Sequence, residues 1–242
     1  MPSPLPSSLV AQSVEQVTVN HLVGGSSPSQ RAKFFSNRKT LLFTISWRKN
    51  DPMKTESFQP ANTQATLSTD RLILRPFRIS DGKEVQRLAG DERIAQTTLS
   101  VPHPYSDGAA EDWIATHPRS FSNGEGVTFA IALKTNHTFI GCISIMGISK
   151  THRRGEAGYW IGAEFWNQGY CTEALKALIE FGFREMGLNK ITSRHMPKNP
   201  QSGKVMLKAG MKQEGVLKDD CFRYGQFEDS VVYGILACDY SK

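Results

Sequence analysis

The sequence predicts a mixed α/β domain with one central sheet flanked by helices. Three observations predict it. From residue 67 onward, apolar β-rich runs of strand length alternate with segments of helical spacing. Two of those runs, residues 126–133 and 138–148, are parted only by the polar turn Lys134-Thr135-Asn136-His137, which makes them a hairpin. A further run ending at Ile161 passes through a short glycine-containing loop straight into a long amphipathic segment.

Taken in order, Arg71-Leu72-Ile73-Leu74-Arg75-Pro76-Phe77 reads as a short strand stopped by Pro76. Ser80 or Asp81 can cap a helix that runs through about Ala89, with Glu84 spaced for a capping box with Asp81. A second helix fits residues 107–121, with Pro118 a point where it can end early. The hairpin follows, and then a strand over 156–161. Residues 169–186 are helical: Ala174, Leu175, Leu178, Ile179 and Phe183 share one face, and Gly187 sits at the C-cap position. Residues 190–194 are a strand, 199–209 a shorter helix ended by Gly210, and 211–217 and 228–236 closing strands. The order is β-α-α-β-β-β-α-β-α-β-β.

Residues 1–66 have a different texture. They are rich in Ser, Pro, Gln, Asn and Thr and lack sustained periodicity, so a disordered leader is expected, with the folded domain spanning 67–242. The segment from Leu9 to Gln16, followed by Val23-Gly24-Gly25-Ser26-Ser27-Pro28-Ser29, resembles a transfer-RNA gene translated by mistake. Met53 would then be the true start; the alternative is a genuine disordered tail. On either reading no packed core is expected before Leu67, and a chain starting at Met53 should fold.

The formal charge of +6 is unevenly spread. Residues 1–60 hold seven Lys/Arg against three Asp/Glu, whereas residues 61–242 hold 22 against 20. The folded part is nearly neutral, which argues against direct nucleic-acid binding. No apolar run approaches the ~20 residues that cross a bilayer, so no membrane partner is expected. Cys142, Cys171, Cys221 and Cys238 show no C-x-x-C spacing, and His152 and His195 have no partners at metal-ligand spacing. A reducing, cytoplasmic setting without disulfides or a metal is expected.

The chemistry concentrates in two segments. In the first, the strand through Tyr159, Trp160 and Ile161 leads to Asn167-Gln168-Gly169-Tyr170-Cys171-Thr172, where a helix begins. Free backbone N–H groups at the positive end of a helix dipole attract phosphate, and Gly169 lets the backbone come close to a bulky anion. A co-substrate with a pyrophosphate is therefore expected. In the second, Pro197-Lys198-Asn199-Pro200-Gln201-Ser202-Gly203, Asn199 and Ser202 have the spacing of an N-cap and its first turn.

These two segments, with Thr69-Asp70-Arg71-Leu72-Ile73-Leu74-Arg75-Pro76 as a T-x-R-L-x-L-R-P pattern and Gly225 to Asp229 as G-x-x-x-D, resemble the GNAT superfamily of N-acetyltransferases. The likeness covers about residues 67–238. It is greatest to the RimJ/RimL type, which acetylates N-terminal amines of ribosomal proteins. The resemblance implies a GNAT fold and acetyl-CoA as co-substrate. The family's loop pattern Q/R-x-x-G-x-G/A falls on Trp166, Gly169 and Cys171, two of which depart from it. It implies that N–H groups of Gln168, Gly169, Tyr170, Cys171 and Thr172 hold the phosphates. The backbone of Tyr159, Trp160 and Ile161 would pair with the pantetheine arm, and Asn199 would bond the same arm.

Many members place a Tyr seven residues after that Asn as acid for the leaving thiolate. Here the position is Met206, which has no proton to give, and Ser202 is the remaining candidate. The attacking amine also needs a base; Glu156 is the candidate, with His195 as competitor. The expected reaction is direct attack by a primary amine, without a covalent enzyme intermediate. The acceptor is a protein N-terminus or a small-molecule amine, its specificity residing in residues 99–121 and 219–225. Met206 and Cys171 also leave room for a CoA-binding module without turnover.

Overall fold

The computed structural model describes residues 63–240 and the short strand Thr44–Ile45. In chain order its strands are β1 (Thr44–Ile45), β2 (Thr66–Ser68), β3 (Leu72–Arg75), β4 (Val127–Leu133), β5 (Phe139–Ser149), β6 (Arg154–Ile161), β7 (Lys190–His195), β8 (Lys212–Arg223) and β9 (Gln226–Leu236). They form one sheet in sequence order, except that β9 lies between β7 and β8. Neighbours are antiparallel apart from β1–β2 and β6–β7. The helices are α1 (Gly82–Ala89), α2 (Glu92–Ala95), α3 (Ala109–Asn123), α4 (Tyr170–Arg184), α5 (Pro200–Lys208) and α6 (Ala237–Tyr240). This is the expected mixed sheet flanked by helices.

Each face of the sheet has its own core. Strand alternation sends Phe129, Ile131, Ile143, Ile145, Ala157 and Ile191 to the side covered by α4, where Leu175, Leu178, Ile179 and Phe183 meet them. The opposite face gives Ala130, Phe139 and Trp160 to Val85, Leu88, Ala110 and Ile114 of α1 and α3. The apolar stripe expected on α4 is thus core, as its spacing requires.

Several expectations about elements need correction. Residues 1–43 and 46–62 lie outside the described residues, so most of the expected leader does too. Thr44–Ile45 nevertheless pairs with Thr66 and Leu67, and Ala65 packs on the larger core, so ordered structure precedes Leu67. The Asp81–Glu84 capping box does not form. Asp81 instead accepts two bonds from Arg75, at 2.8 Å each, and one from the Arg78 N–H at 2.8 Å. Glu84 pairs with Arg87. Burial alone would raise the Asp81 pKa, but the bonds from Arg75 and Arg78 outweigh it and hold the carboxyl below its usual range.

Pro118 does not end the second helix. α3 runs on to Asn123 because Ile114, His117 and Phe121 bury one continuous face, and the turn past Pro118 keeps those contacts. It stops at Gly124, whose φ of +70° suits a glycine C-cap. The one-turn α2 was not foreseen. The final hairpin is longer than expected: β8 extends to Arg223, so most of residues 219–225 is strand.

Candidate active site

β6 and β7 are parallel, yet they pair only where Arg154, Gly155 and Glu156 face Lys190, Ile191 and Thr192. Beyond that, Ser193 Oγ donates to the Ala157 carbonyl at 2.8 Å, and the strands part. Into the gap opens a cavity of about 950 Å³ lined from both faces of the sheet. Parting leaves ladder groups of β6 without a strand partner on that side, which is where an extended ligand arm can bond. Tyr159 and Trp160 lie on this stretch. Ile161 is already committed in part, since its carbonyl accepts from the Trp166 indole N–H at 2.7 Å.

The loop after β6 meets the helix dipole as expected. Gly169 caps α4 with a φ of +79°, and Asn167 is also left-handed at +61°. None of the N–H groups of Gln168, Gly169, Tyr170, Cys171 and Thr172 has a hydrogen-bond partner among the described residues. All but Gln168 line the cavity. Arg71 locks the loop from the far end of the sheet: it donates to the Gln168 carbonyl at 2.9 Å and to Glu173 at 2.7 Å, and lies over the Tyr170 ring. Glu173 also accepts from Thr69 Oγ1 at 2.6 Å. Burial would lift the Glu173 pKa, but the Thr69 and Arg71 bonds outweigh it and lower it. Lys204 and Lys208 of α5 also line the cavity. A row of unpaired N–H groups, a left-handed glycine and nearby lysines fit a pyrophosphate.

α5 supplies the next feature. The Asn199 carboxamide oxygen accepts from the Ser202 N–H at 3.3 Å, so it caps α5 and leaves its NH₂ to the cavity. The hydroxyl of Tyr159 reaches across from β6 to Ser202, 3.0 Å from its Oγ and 3.2 Å from its carbonyl. Burial raises the Tyr159 pKa, so the phenol keeps its proton. Met206 is fully buried in the core, away from any proton-transfer role. Burial pushes the Cys171 thiol up to about 12, which leaves it a poor nucleophile.

On the opposite face stands Glu156. Both its oxygens accept from Arg194, at 2.8 Å each, and Arg194 also holds Asp220 of β8 at 2.7 Å. The bonds it donates to Glu156 raise the Arg194 pKa further. His195 points to the other side. Its Nδ1 lies 2.8 Å from the Met196 carbonyl, its ring faces Tyr233, and a Cβ on Gly203 would come within 2.6 Å of Nε2. Glu156 and His195 thus occupy different faces of the sheet and do not act on one another directly.

The two segments expected to set specificity meet through a residue that the sequence did not single out. Arg223, near the tip of the β8–β9 hairpin, donates to the carbonyls of Ala95 at 2.9 Å, Val101 at 2.7 Å, and Leu99. Arg194, Asp220 and His117 were also missed. A polar residue on the otherwise apolar face of α3 was the available signal for His117; the others declare themselves only through contacts distant in sequence.

Comparison with known proteins agrees with this geometry. A family model described as an acetyltransferase (GNAT) domain matches residues 71–212. The uncharacterized N-acetyltransferase YoaA of Bacillus subtilis (strain 168) is 28% identical over 170 residues, covering 70% of this chain and 96% of the relative. The [ribosomal protein uS5]-alanine N-acetyltransferase of Escherichia coli (strain K12) is 32% identical over 84 residues, covering 35% of this chain and 43% of the relative. Among solved structures, spermidine N-acetyltransferase from Vibrio cholerae in complex with CoA and spermine superposes with a TM-score of 0.63 at 20% identity, covering 72% of this chain and all of that one.

Proposed function

This chain belongs to the GNAT acetyltransferase family and is an acetyl-CoA-dependent N-acetyltransferase, and we propose that its acceptor is the N-terminal α-amine of a protein. The observation that supports this acceptor is the charge of the cavity. Among the described residues the only carboxylate lining it is Glu156, and Arg194 engages both of its oxygens. A polyamine would bring further cations to a wall with no free counter-charge, which is costly in a partly buried site. An N-terminal residue brings one amine. Ribosomal-protein acetyltransferases among the partial relatives point the same way.

The proposed chemistry uses two sets of residues. The N–H groups of Gln168 to Thr172 hold the pyrophosphate, and Tyr159, Trp160 and Asn199 line the path of the pantetheine arm. A neutral amine attacks the thioester carbonyl from the Glu156 side. Glu156, held in place by Arg194, accepts the amine proton through a remaining lone pair or a water. As the C–S bond breaks, the thiolate takes a proton from Ser202 Oγ, which Tyr159 can resupply through their 3.0 Å contact. His195 is the competing base, on the opposite face.

The test is thiol release from acetyl-CoA with a panel of N-terminal peptides and small amines. Peptides should be the better acceptors. Glu156→Gln should lower kcat by roughly 10²-fold or more with acetyl-CoA affinity almost intact. If His195→Ala has that effect and Glu156→Gln does not, the base is His195. A spermidine rate above all peptide rates would refute the acceptor.

A further inference from the structure

α3 buries Ala110, Ile114, His117 and Phe121 along one face, and only His117 among them is polar in its side chain. Its exposure is 9%. The ring packs edge-on against Phe77, at 5.2 Å between centroids, and Trp113, at 4.4 Å. Neither Nδ1 nor Nε2 has a hydrogen-bond partner among the described residues. Buried polar atoms are nearly always paired, and each unpaired one costs about 1–3 kcal/mol. Such a cost persists where a ligand supplies the missing partner.

The sheet beneath α3 is hollowed to receive one. Thr128 of β4 pairs in register with Ser144 of β5, which pairs with Gly158 of β6. Strand alternation aims all three at the α3 face, opposite to Phe129, Ile143 and Ala157. Three small residues side by side leave a trough, its Gly158 end covered by the Met146 methyl, and His117, Thr128, Ser144 and Gly158 line the same cavity as Glu156. A substrate whose amine meets Glu156 can therefore extend along the trough to His117. Burial lowers the His117 pKa to about 4, so at neutral pH the imidazole is uncharged, with one donor and one acceptor to offer.

We propose that His117 binds the acceptor, hydrogen-bonding an uncharged amide or carbonyl group next to its amine. The site then selects monoamines that bear such a group, and rejects di- and polyamines. This rests on the acetyltransferase reading and deepens it. An N-terminal residue with its first peptide bond has the required chemistry; so has a small amino amide.

The experiment uses the full chain and four acceptors: alaninamide, an alanine-headed tetrapeptide, propylamine and spermidine. Thiol release gives KM and kcat, and calorimetry gives acetyl-CoA affinity. The wild type should favour the two amides over propylamine about tenfold, the worth of one hydrogen bond in a buried site. His117→Phe keeps the ring contacts with Phe77 and Trp113. It should raise KM for both amides to that of propylamine, leaving the KM of propylamine and acetyl-CoA affinity unchanged. His117→Gln, with its own donor and acceptor, should restore part of the preference. A preference for the tetrapeptide over alaninamide identifies a protein as the source; equal rates identify a small amide. The proposal falls if His117→Phe retains the amide preference, or if spermidine is the best wild-type acceptor. Should no amine release thiol, the proposed acceptors fail as a class; calorimetric binding of alaninamide to wild type and His117→Phe still decides the role of His117.

Discussion

Lowering the pH should destabilise this protein through His117 before its carboxylates matter. Burial brings the folded-state pKa to about 4, against an ordinary value of 6.5. Between those values the unfolded chain binds the proton and the folded chain does not, so stability falls as pH falls. The contribution is fully present above pH 6.5 and fully lost below pH 4. At pH 5 the linkage amounts to about 2 kcal/mol, which lowers Tm by about 4–8 °C for a domain of this size. Asp81 and Glu173 have lowered pKa values, so the stability they give is present above their unfolded values near 4 and is lost only below them. The two windows are therefore separable. Thermal melts of wild type and His117→Phe at pH 7.5, 6.0 and 5.0, at constant ionic strength, read the effect. The variant should be at least as stable at pH 7.5, because two unpaired nitrogens are gone, and nearly flat down to pH 5. Parallel curves for the two proteins would refute the reasoning.

Three further perturbations address other parts of the molecule. At Gly169, with φ of +79°, Val is strained by about 1–2 kcal/mol whereas Asn is tolerated. Both should weaken acetyl-CoA binding in calorimetry, with only Val lowering Tm; wild-type affinity in both would remove the phosphate-loop assignment. Asp81→Asn breaks the pair with Arg75, whose side chains are 10% and 17% exposed, and should cost about 3 kcal/mol in urea unfolding. A change within error would mean that the pair is structurally idle. Arg223→Ala frees the loop at Ala95, Leu99 and Val101 and should raise the acceptor KM several-fold with acetyl-CoA affinity unchanged, while an unchanged KM would separate this clamp from the acceptor site.

The loop side of the candidate site was legible because it is built from contiguous chain. The strand through Ile161, the left-handed glycine and the start of α4 follow one another within a dozen residues, and their local geometry alone creates the row of free N–H groups. The Asn199 cap was legible for the same reason, since a cap acts over three residues. Pro118 and the Asp81–Glu84 pattern misled because local propensity was overridden: a buried helix face carried α3 past the proline, and Arg75 took the Asp81 carboxylate.

By itself the sequence determined the alternation of strands and helices, the faces they bury, and the strand–loop–helix turn at Gly169, all of which rest on interactions within a few residues. Tertiary structure alone decided that Tyr159 meets Ser202, that Arg194 clasps Glu156 and Asp220, that Arg223 ties the last hairpin to the loop before α3, and that His117 and a row of small residues line one cavity. The hydrogen-bonded partners stand from 26 to 128 residues apart. Periodicity shows which face a residue joins, but only the packed sheet and its strand register determine what waits on the other side.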